Sequence, residues 1–223
     1  MIMLDPSLLQ KVPLFANLER DDLKSILDLA EIREVDKGTL IFSQGEKGDS
    51  LFLVLEGRVK AVLLGQDGRE VILAYLEPGE LVGEMAVFDS EERRSATVFA
   101  ATDCSLLFLS GKQFMSFVSR KPSVAIVLLR SLSRRLKETS GRIGSLIFLD
   151  TYSRVGGYLI SIAKKQGRPL ADGSILVTRP AQQEIAQFIG ASRETVSRAL
   201  KELEHQGLIK MVGKKVILYR LQR

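Results

Sequence analysis

Apolar and polar positions follow three different rhythms along this 223-residue chain. Up to about residue 34 the spacing is helical, with Leu23, Ile26, Leu27 and Ala30 on one face, so short helices are predicted there. From about Val35 to Ser110 the pattern changes to short apolar runs broken by glycine turns. The runs are Thr39–Phe42, Ser50–Leu55, Val59–Leu64, Val71–Leu76 and Cys104–Leu109, and Asp67-Gly68 between two of them is a hairpin signal. Several short strands at this spacing predict an antiparallel barrel or roll. From Pro122 to about Asp150 the period is helical again. Ala125, Leu129, Leu132, Leu136, Thr139, Ile143, Leu146 and Asp150 alternate steps of four and three, a heptad seam more than three repeats long. Such a seam has two uses: packing on its own domain, or pairing with its twin in a homodimer, and the strictness of the stripe favours the homodimer. Thr139 is the odd member, a hydroxyl that lowers stability in an apolar seam unless something bonds to it.

Beyond Asp150 a helix is predicted around Tyr152–Gln166, ended by Gly167-Arg168-Pro169. The apolar runs Ile175–Val177 and Val216–Tyr219 predict small strands flanking further helices, a winged arrangement. Thr178-Arg179-Pro180 opens the first of these helices, with Thr178 as its predicted N-cap and Pro180 in its first turn. It runs through Gln182–Ile189 and stops at Gly190, which supplies the positive φ of a tight turn. Ser192 then caps a second helix with Val196, Ala199, Leu200 and Leu203 on its buried face. Ala186 is small where the two helices must cross. This spacing is that of a DNA-binding helix-turn-helix, whose second helix enters the major groove by its first turns. Arg193, Glu194 and Arg198 lie there. Arginine can fork onto guanine, glutamate can accept from cytosine, and the short hydroxyls of Ser192 and Thr195 suit phosphate contacts. A plain solvated face with a Glu194–Arg198 pair is the alternative.

Charge agrees with the DNA reading. Residues 151–223 carry thirteen lysines and arginines against five acids, a net of +8, whereas residues 1–150 are net −3. A cationic module attached to a mildly acidic one suits a phosphate-backbone partner. A single cysteine, Cys104, and a single histidine, His205, leave no cluster for zinc, iron–sulfur or a nucleophilic triad, so neither a metal nor an enzymatic activity is expected. Cys104 reads as a buried strand residue and His205 as an exposed helix residue. No apolar run nears the ~20 residues that span a bilayer, and Met1–Asp5 does not read as a signal peptide, so a cytoplasmic protein is expected.

The segment Gly190-Ala191-Ser192-Arg193-Glu194-Thr195-Val196-Ser197-Arg198 resembles the helix-turn-helix of the bacterial cyclic AMP receptor protein (catabolite activator) and fumarate–nitrate reductase regulator family, and the resemblance extends over nearly the whole chain. That receptor is itself a standard example of this mode of docking. The resemblance implies an α+β architecture. Residues 1–121 would form a double-stranded β-helix (jelly-roll-like) cyclic-nucleotide-binding domain, 122–150 a dimerisation helix and hinge, and 151–223 a winged helix-turn-helix. It implies that Arg193, Glu194 and Arg198 read a TGTGA-type half-site, twice, in a palindrome, with Arg179, Ser192 and Thr195 also on DNA. Gly79–Phe88 and Arg93–Val98 resemble the family's phosphate-binding cassette, which places Gly83, Glu84, Met85, Arg94, Ser95 and Ala96 on cyclic AMP. Arg94 and Ser95 would take the phosphate and Glu84 the ribose hydroxyl. On the long helix the resemblance gives the adenine to Thr139 and to Ser140 of the opposite subunit, with Arg135 supporting. Asp150 would sit at the hinge, or else be an ordinary helix-end carboxylate. RNA polymerase is an implied partner. Another effector, none at all, or a regulatory module of a different system are the remaining alternatives.

Overall fold

The computed structural model describes residues 9–219 except 11, 13, 14, 17, 29, 90 and 92. Residues 1–8, including Met1–Asp5, lie outside the described residues, and so does part of the region expected to form short helices. The chain divides into two compact units, Met1–Lys137 and Glu138–Arg223.

The first unit is built on two four-stranded antiparallel sheets. One pairs β1 (Glu31–Val35), β8 (Cys104–Ser110), β3 (Ser50–Glu56) and β6 (Leu81–Val82) in that order. The other pairs β2 (Leu40–Phe42), β7 (Thr97–Ala100), β4 (Val59–Leu64) and β5 (Glu70–Leu76). Strand β3 shows why its sequence is apolar at almost every position. Phe52 and Val54 enter the core between the sheets, with Phe42, Val59, Leu76, Val82, Val98 and Leu106. Leu51 and Leu53 point the other way, into a second core shared with helices α1 (Arg20–Leu27), α3 (Gly111–Arg120) and α4 (Pro122–Phe148). A strand buried on both faces reads as a continuous run rather than an alternation. The predicted hairpin joins β4 to β5, with Gly68 at φ +77°.

Strand β1 departs from the sequence reading, which continued the helical region to about residue 34. Glu31–Val35 is extended because it pairs in register with Cys104–Phe108 on β8. A partner some seventy residues away overrides the local rhythm. The five-residue helix α2 (Glu84–Phe88) and helix α3 add to what the sequence showed.

Helix α4 begins at Pro122, where the missing N–H costs nothing. Val124 and Leu128 are buried and Val127 and Leu132 partly so, all against the first unit's core. The heptad stripe occupies another face: Leu129 is 60% exposed and Leu136 69%, and Ile143 and Leu146 are also exposed. One side of the helix thus packs on its own unit while another leaves the apolar stripe exposed, with Leu132 common to the two. Asp150 falls outside this helix, which ends at Phe148.

In the second unit, α5 (Thr151–Gln166), α6 (Gln182–Ile189) and α7 (Arg193–His205) pack with a sheet of order β11 (Ile209–Val212), β12 (Lys215–Leu218), β10 (Ile175–Thr178), β9 (Arg168–Pro169). The core joins Val155, Leu159 and Ile162 of α5, Ile185, Ala186 and Ile189 of α6, and Val196, Ala199, Leu200 and Leu203 of α7 to Val177, Ile209 and Val216. The start of α6 is a second correction. Its N-cap is Ala181, without a side-chain cap, not Thr178. Thr178 is taken by the sheet, opposite Lys215, and the Arg179 N–H donates to the Lys214 carbonyl at 2.9 Å.

Candidate functional site

In the first unit the phosphate-binding segment surrounds one buried cation. Gly83, at φ +84°, turns the chain from β6 into α2. Arg94, 5% exposed, reaches back under that turn. Its Nη1 donates to the carbonyls of Ser50 at 2.8 Å and Gly83 at 2.9 Å, and its Nη2 to Ser50 Oγ at 3.0 Å. The guanidinium also lies over the Phe42 ring at 4.1 Å. A Cβ on Gly83 would collide with Arg94 Nη1, and one on Gly48 with Ala86, so both glycines are needed for the close approach. Every hydrogen-bond acceptor of Arg94 is a neutral oxygen, and its Nε is buried with no hydrogen-bond partner among the described residues. Burial pushes the Arg94 pKa down, while Asp49, Glu46 and Glu84 oppose that at longer range. A buried guanidinium held only by neutral acceptors is built to receive an anion.

Glu84, the first residue of α2, is 2% exposed. Burial raises its pKa, and Arg135 works against the rise. Arg135 Nη1 donates to Glu84 Oε1 at 2.7 Å and Nη2 to the Leu81 carbonyl at 2.6 Å, so α4 fixes this carboxylate. Arg134, one residue earlier, pairs with Glu80 at 3.0 Å. Ser95 is exposed, with its hydroxyl 3.7 Å from the Met85 sulfur, and Met85 is exposed too. Ala96 is buried. Arg93 points elsewhere, donating to the Gly45 carbonyl at 2.9 Å. The structure therefore brings Gly83, Glu84, Met85, Arg94, Ser95, Ala96 and Arg135 together in one unit. Ser50 and Gly48 join them, and sequence reasoning did not name either. Thr139 and Ser140 are exposed on α4, in the second unit.

The second unit presents the hairpin of α6 and α7. Gly190 closes α6 in the left-handed region, at φ +67°, and the Ala191 N–H donates back to the Ala186 carbonyl at 3.0 Å. Ser192 Oγ accepts from the Thr195 N–H at 3.1 Å and lies 2.9 Å from Thr195 Oγ1. Arg193, Glu194 and Arg198 are exposed on the first turns of α7, and Arg198 Nη2 is 3.5 Å from Thr195 Oγ1. Backbone donation at its own position, the Ser192 hydroxyl, and then Arg193 and Arg198 hold the Glu194 carboxyl below its usual range. Arg179, partly buried, precedes the hairpin, its Nη1 3.4 Å from the Pro180 carbonyl. Asp150 is the N-cap of α5, its Oδ1 accepting from the Ser153 N–H at 2.7 Å. The same bond lowers its pKa.

Among the described residues no group of histidines, cysteines or carboxylates could hold a metal ion, and no helix is long and apolar enough to cross a membrane. Residues 32–121 match the cyclic nucleotide-binding domain, and residues 153–223 the Crp-like helix-turn-helix domain. The chain is 40% identical over 185 residues to the cAMP-activated global transcriptional regulator CRP of Salmonella typhimurium, covering 82% of this chain and 86% of that one. It is 32% identical over 217 residues to the CRP-like cAMP-activated global transcriptional regulator of Mycobacterium tuberculosis, covering 97% and 96%. Among solved structures it resembles the c-di-GMP-responsive global regulator CLP of Xanthomonas campestris, with a TM-score of 0.80 and 28% identity over 91% of this chain and all of that one. A cyclic-nucleotide cradle and a DNA-reading hairpin on one chain, together with these relatives, show that the chain belongs to the CRP family of effector-responsive, DNA-binding transcriptional regulators.

Proposed function

We propose that this regulator is a cytoplasmic homodimer, without enzymatic activity, whose effector is cyclic AMP and whose target is a TGTGA-type palindrome. The observation that carries the reading is Arg94: a buried guanidinium with only neutral acceptors, beside the left-handed turn at Gly83 and the carboxylate of Glu84. A cyclic phosphate supplies the missing negative charge. Ser95 and the backbone of Gly83 and Ala96 complete the phosphate contacts, Met85 lines the cradle, and Glu84, held by Arg135, accepts from the ribose hydroxyl. Thr139 and Ser140 keep the adenine role that the resemblance gives them.

The exposed stripe Leu129, Leu136, Ile143, Leu146 pairs with its copy in a second subunit. On DNA, Arg193, Glu194 and Arg198 read base edges, and Arg179, Ser192 and Thr195 contact the backbone. Asp150 ends the linker between α4 and α5 and serves as the hinge. The ligand raises DNA affinity only by as much as it prefers the DNA-competent arrangement. RNA polymerase is the partner on which the bound regulator acts.

The test is a titration of a TGTGA palindrome without nucleotide and with cyclic AMP, cyclic GMP or cyclic di-GMP in excess. Stimulation by cyclic AMP alone is expected. Stimulation by cyclic di-GMP alone would replace the effector with that of the Xanthomonas relative, and equal binding in every arm would remove the effector from the reading.

A further inference from the structure

The last turns of α4 belong to the same compact unit as the DNA-reading hairpin, and one of their residues grips it. Arg142 Nη2 donates to the carbonyl of Phe188 at 2.7 Å, and the Arg142 guanidinium stacks over the Phe188 ring at 4.2 Å. Phe188 in turn stacks on Tyr158 of α5, centroids 4.3 Å apart and planes at 27°. One turn further along α4, Leu146 Cδ2 comes within 3.6 Å of where a Cβ on Gly190 would stand. Successive turns of α4 therefore touch the last turn of α6 and approach the glycine that leads into the recognition helix.

The chemistry of this grip differs from ordinary packing. The Phe188 carbonyl lies in the last turn of α6, where carbonyls lack an intrahelical partner and the helix end is negative. A cation there is favoured. Burial nevertheless pushes the pKa of Arg142 down, with Tyr158 and Glu138 acting the other way. A leucine would fill the space without that cost. Arginine instead adds a directional bond to the Phe188 carbonyl and a planar stack on its ring, and both depend on a single orientation of α6.

We infer that Arg142 is a positioning residue that locks the helix-turn-helix onto the last turns of the long helix, so that α4 and the recognition helix move as one body. The inference rests on the reading that cyclic AMP controls DNA binding through α4. Arg142 lies two residues beyond Ser140 on that helix, so a change at Thr139 and Ser140 reaches α6 through at most one helical turn.

The test uses the full-length protein and the variants Arg142→Met, which keeps the stem and removes the charge, and Arg142→Lys, which keeps the charge and removes the planar fork. Two quantities are read: amide exchange over 182–192, and the ratio of DNA affinities with and without cyclic AMP. For Arg142→Met, exchange rises at Ala191 and the ratio falls about tenfold, within the usual span of coupling between sites. Nucleotide affinity and melting temperature stay close to wild type, and Arg142→Lys recovers only part of the ratio. Faster exchange with an unchanged ratio overturns the positioning role and leaves Arg142 a packing residue. Unchanged exchange overturns the lock itself. If wild type shows no stimulation by cyclic AMP, the effector reading fails separately, and exchange at Ala191 alone then decides whether Arg142 holds the hairpin.

Discussion

Replacing Arg94 with leucine separates its two structural roles, because the structure gives opposite signs to them. The variant loses donors to three oxygens: the carbonyls of Ser50 and Gly83 and the Ser50 hydroxyl. Each buried acceptor left without a donor costs about 1–3 kcal/mol. Against that, a guanidinium with no carboxylate bonded to it leaves the interior, which returns several kcal/mol of desolvation. The two nearly cancel, so the melting temperature of Arg94→Leu is expected within about 5 °C of wild type. Nothing cancels for the ligand. A bond from a charged donor is worth about 1.5–3 kcal/mol, and a forked pair on phosphate loses at least about 3, or about 150-fold in affinity. Titration calorimetry with cyclic AMP, beside a melting curve of the free protein, reads both numbers. An intact melting temperature with unchanged nucleotide affinity would refute the argument, since it would put the phosphate elsewhere.

Arg198→Ala should weaken binding to the palindrome by about 1–3 kcal/mol and relax the preference at one base pair, with little effect on random DNA; competition binding against single-base variants checks it. Leu136→Glu places a charge in the stripe, and sedimentation should show the population shifting to monomer, while a wild type already monomeric at micromolar concentration would exclude the seam as an interface. The pKa values of Asp150, Asp172 and Glu194 are held down chiefly by hydrogen bonds from Ser153, from Ser174 and from the Glu194 backbone with Ser192. Their stabilisation of the second unit is therefore present above the ordinary carboxylate range and lost as pH falls through the depressed values. Acid titration followed by amide exchange should show this, and Asp150→Ala should remove part of the dependence where Asp150→Asn retains a cap.

What could be read from the sequence depended on the distance over which each feature is determined. The hairpin of α6 and α7 is local: Gly190, Ser192 and the apolar face of α7 lie within fourteen residues and behave as their spacing predicts. The strands from Leu40 to Leu76 were legible because each carries its own turn signals. Strand β1 was not, since its conformation is settled by β8, and Thr178 was misplaced because Lys215 claims it for the sheet. The candidate site divides in the same way. Arg94 and Glu84 stand in a recognisable segment, but two of the three oxygens that hold Arg94 come from Ser50, forty-four residues away. Arg142 carries no local signal at all. It reads as a charge beside the seam, and its partner Phe188 is forty-six residues further on.

The neutral cradle of Arg94 also sets a rule for what the protein ignores. Its guanidinium is already stripped of water, held by neutral oxygens and left with an unpartnered Nε, so an uncharged molecule of the right shape leaves that buried charge uncompensated. Adenosine should therefore be rejected far more strongly than its lost contacts alone suggest, and the pool of free nucleosides in a cell would pass unnoticed. On this reasoning the protein should select its ligand for charge before it selects for shape.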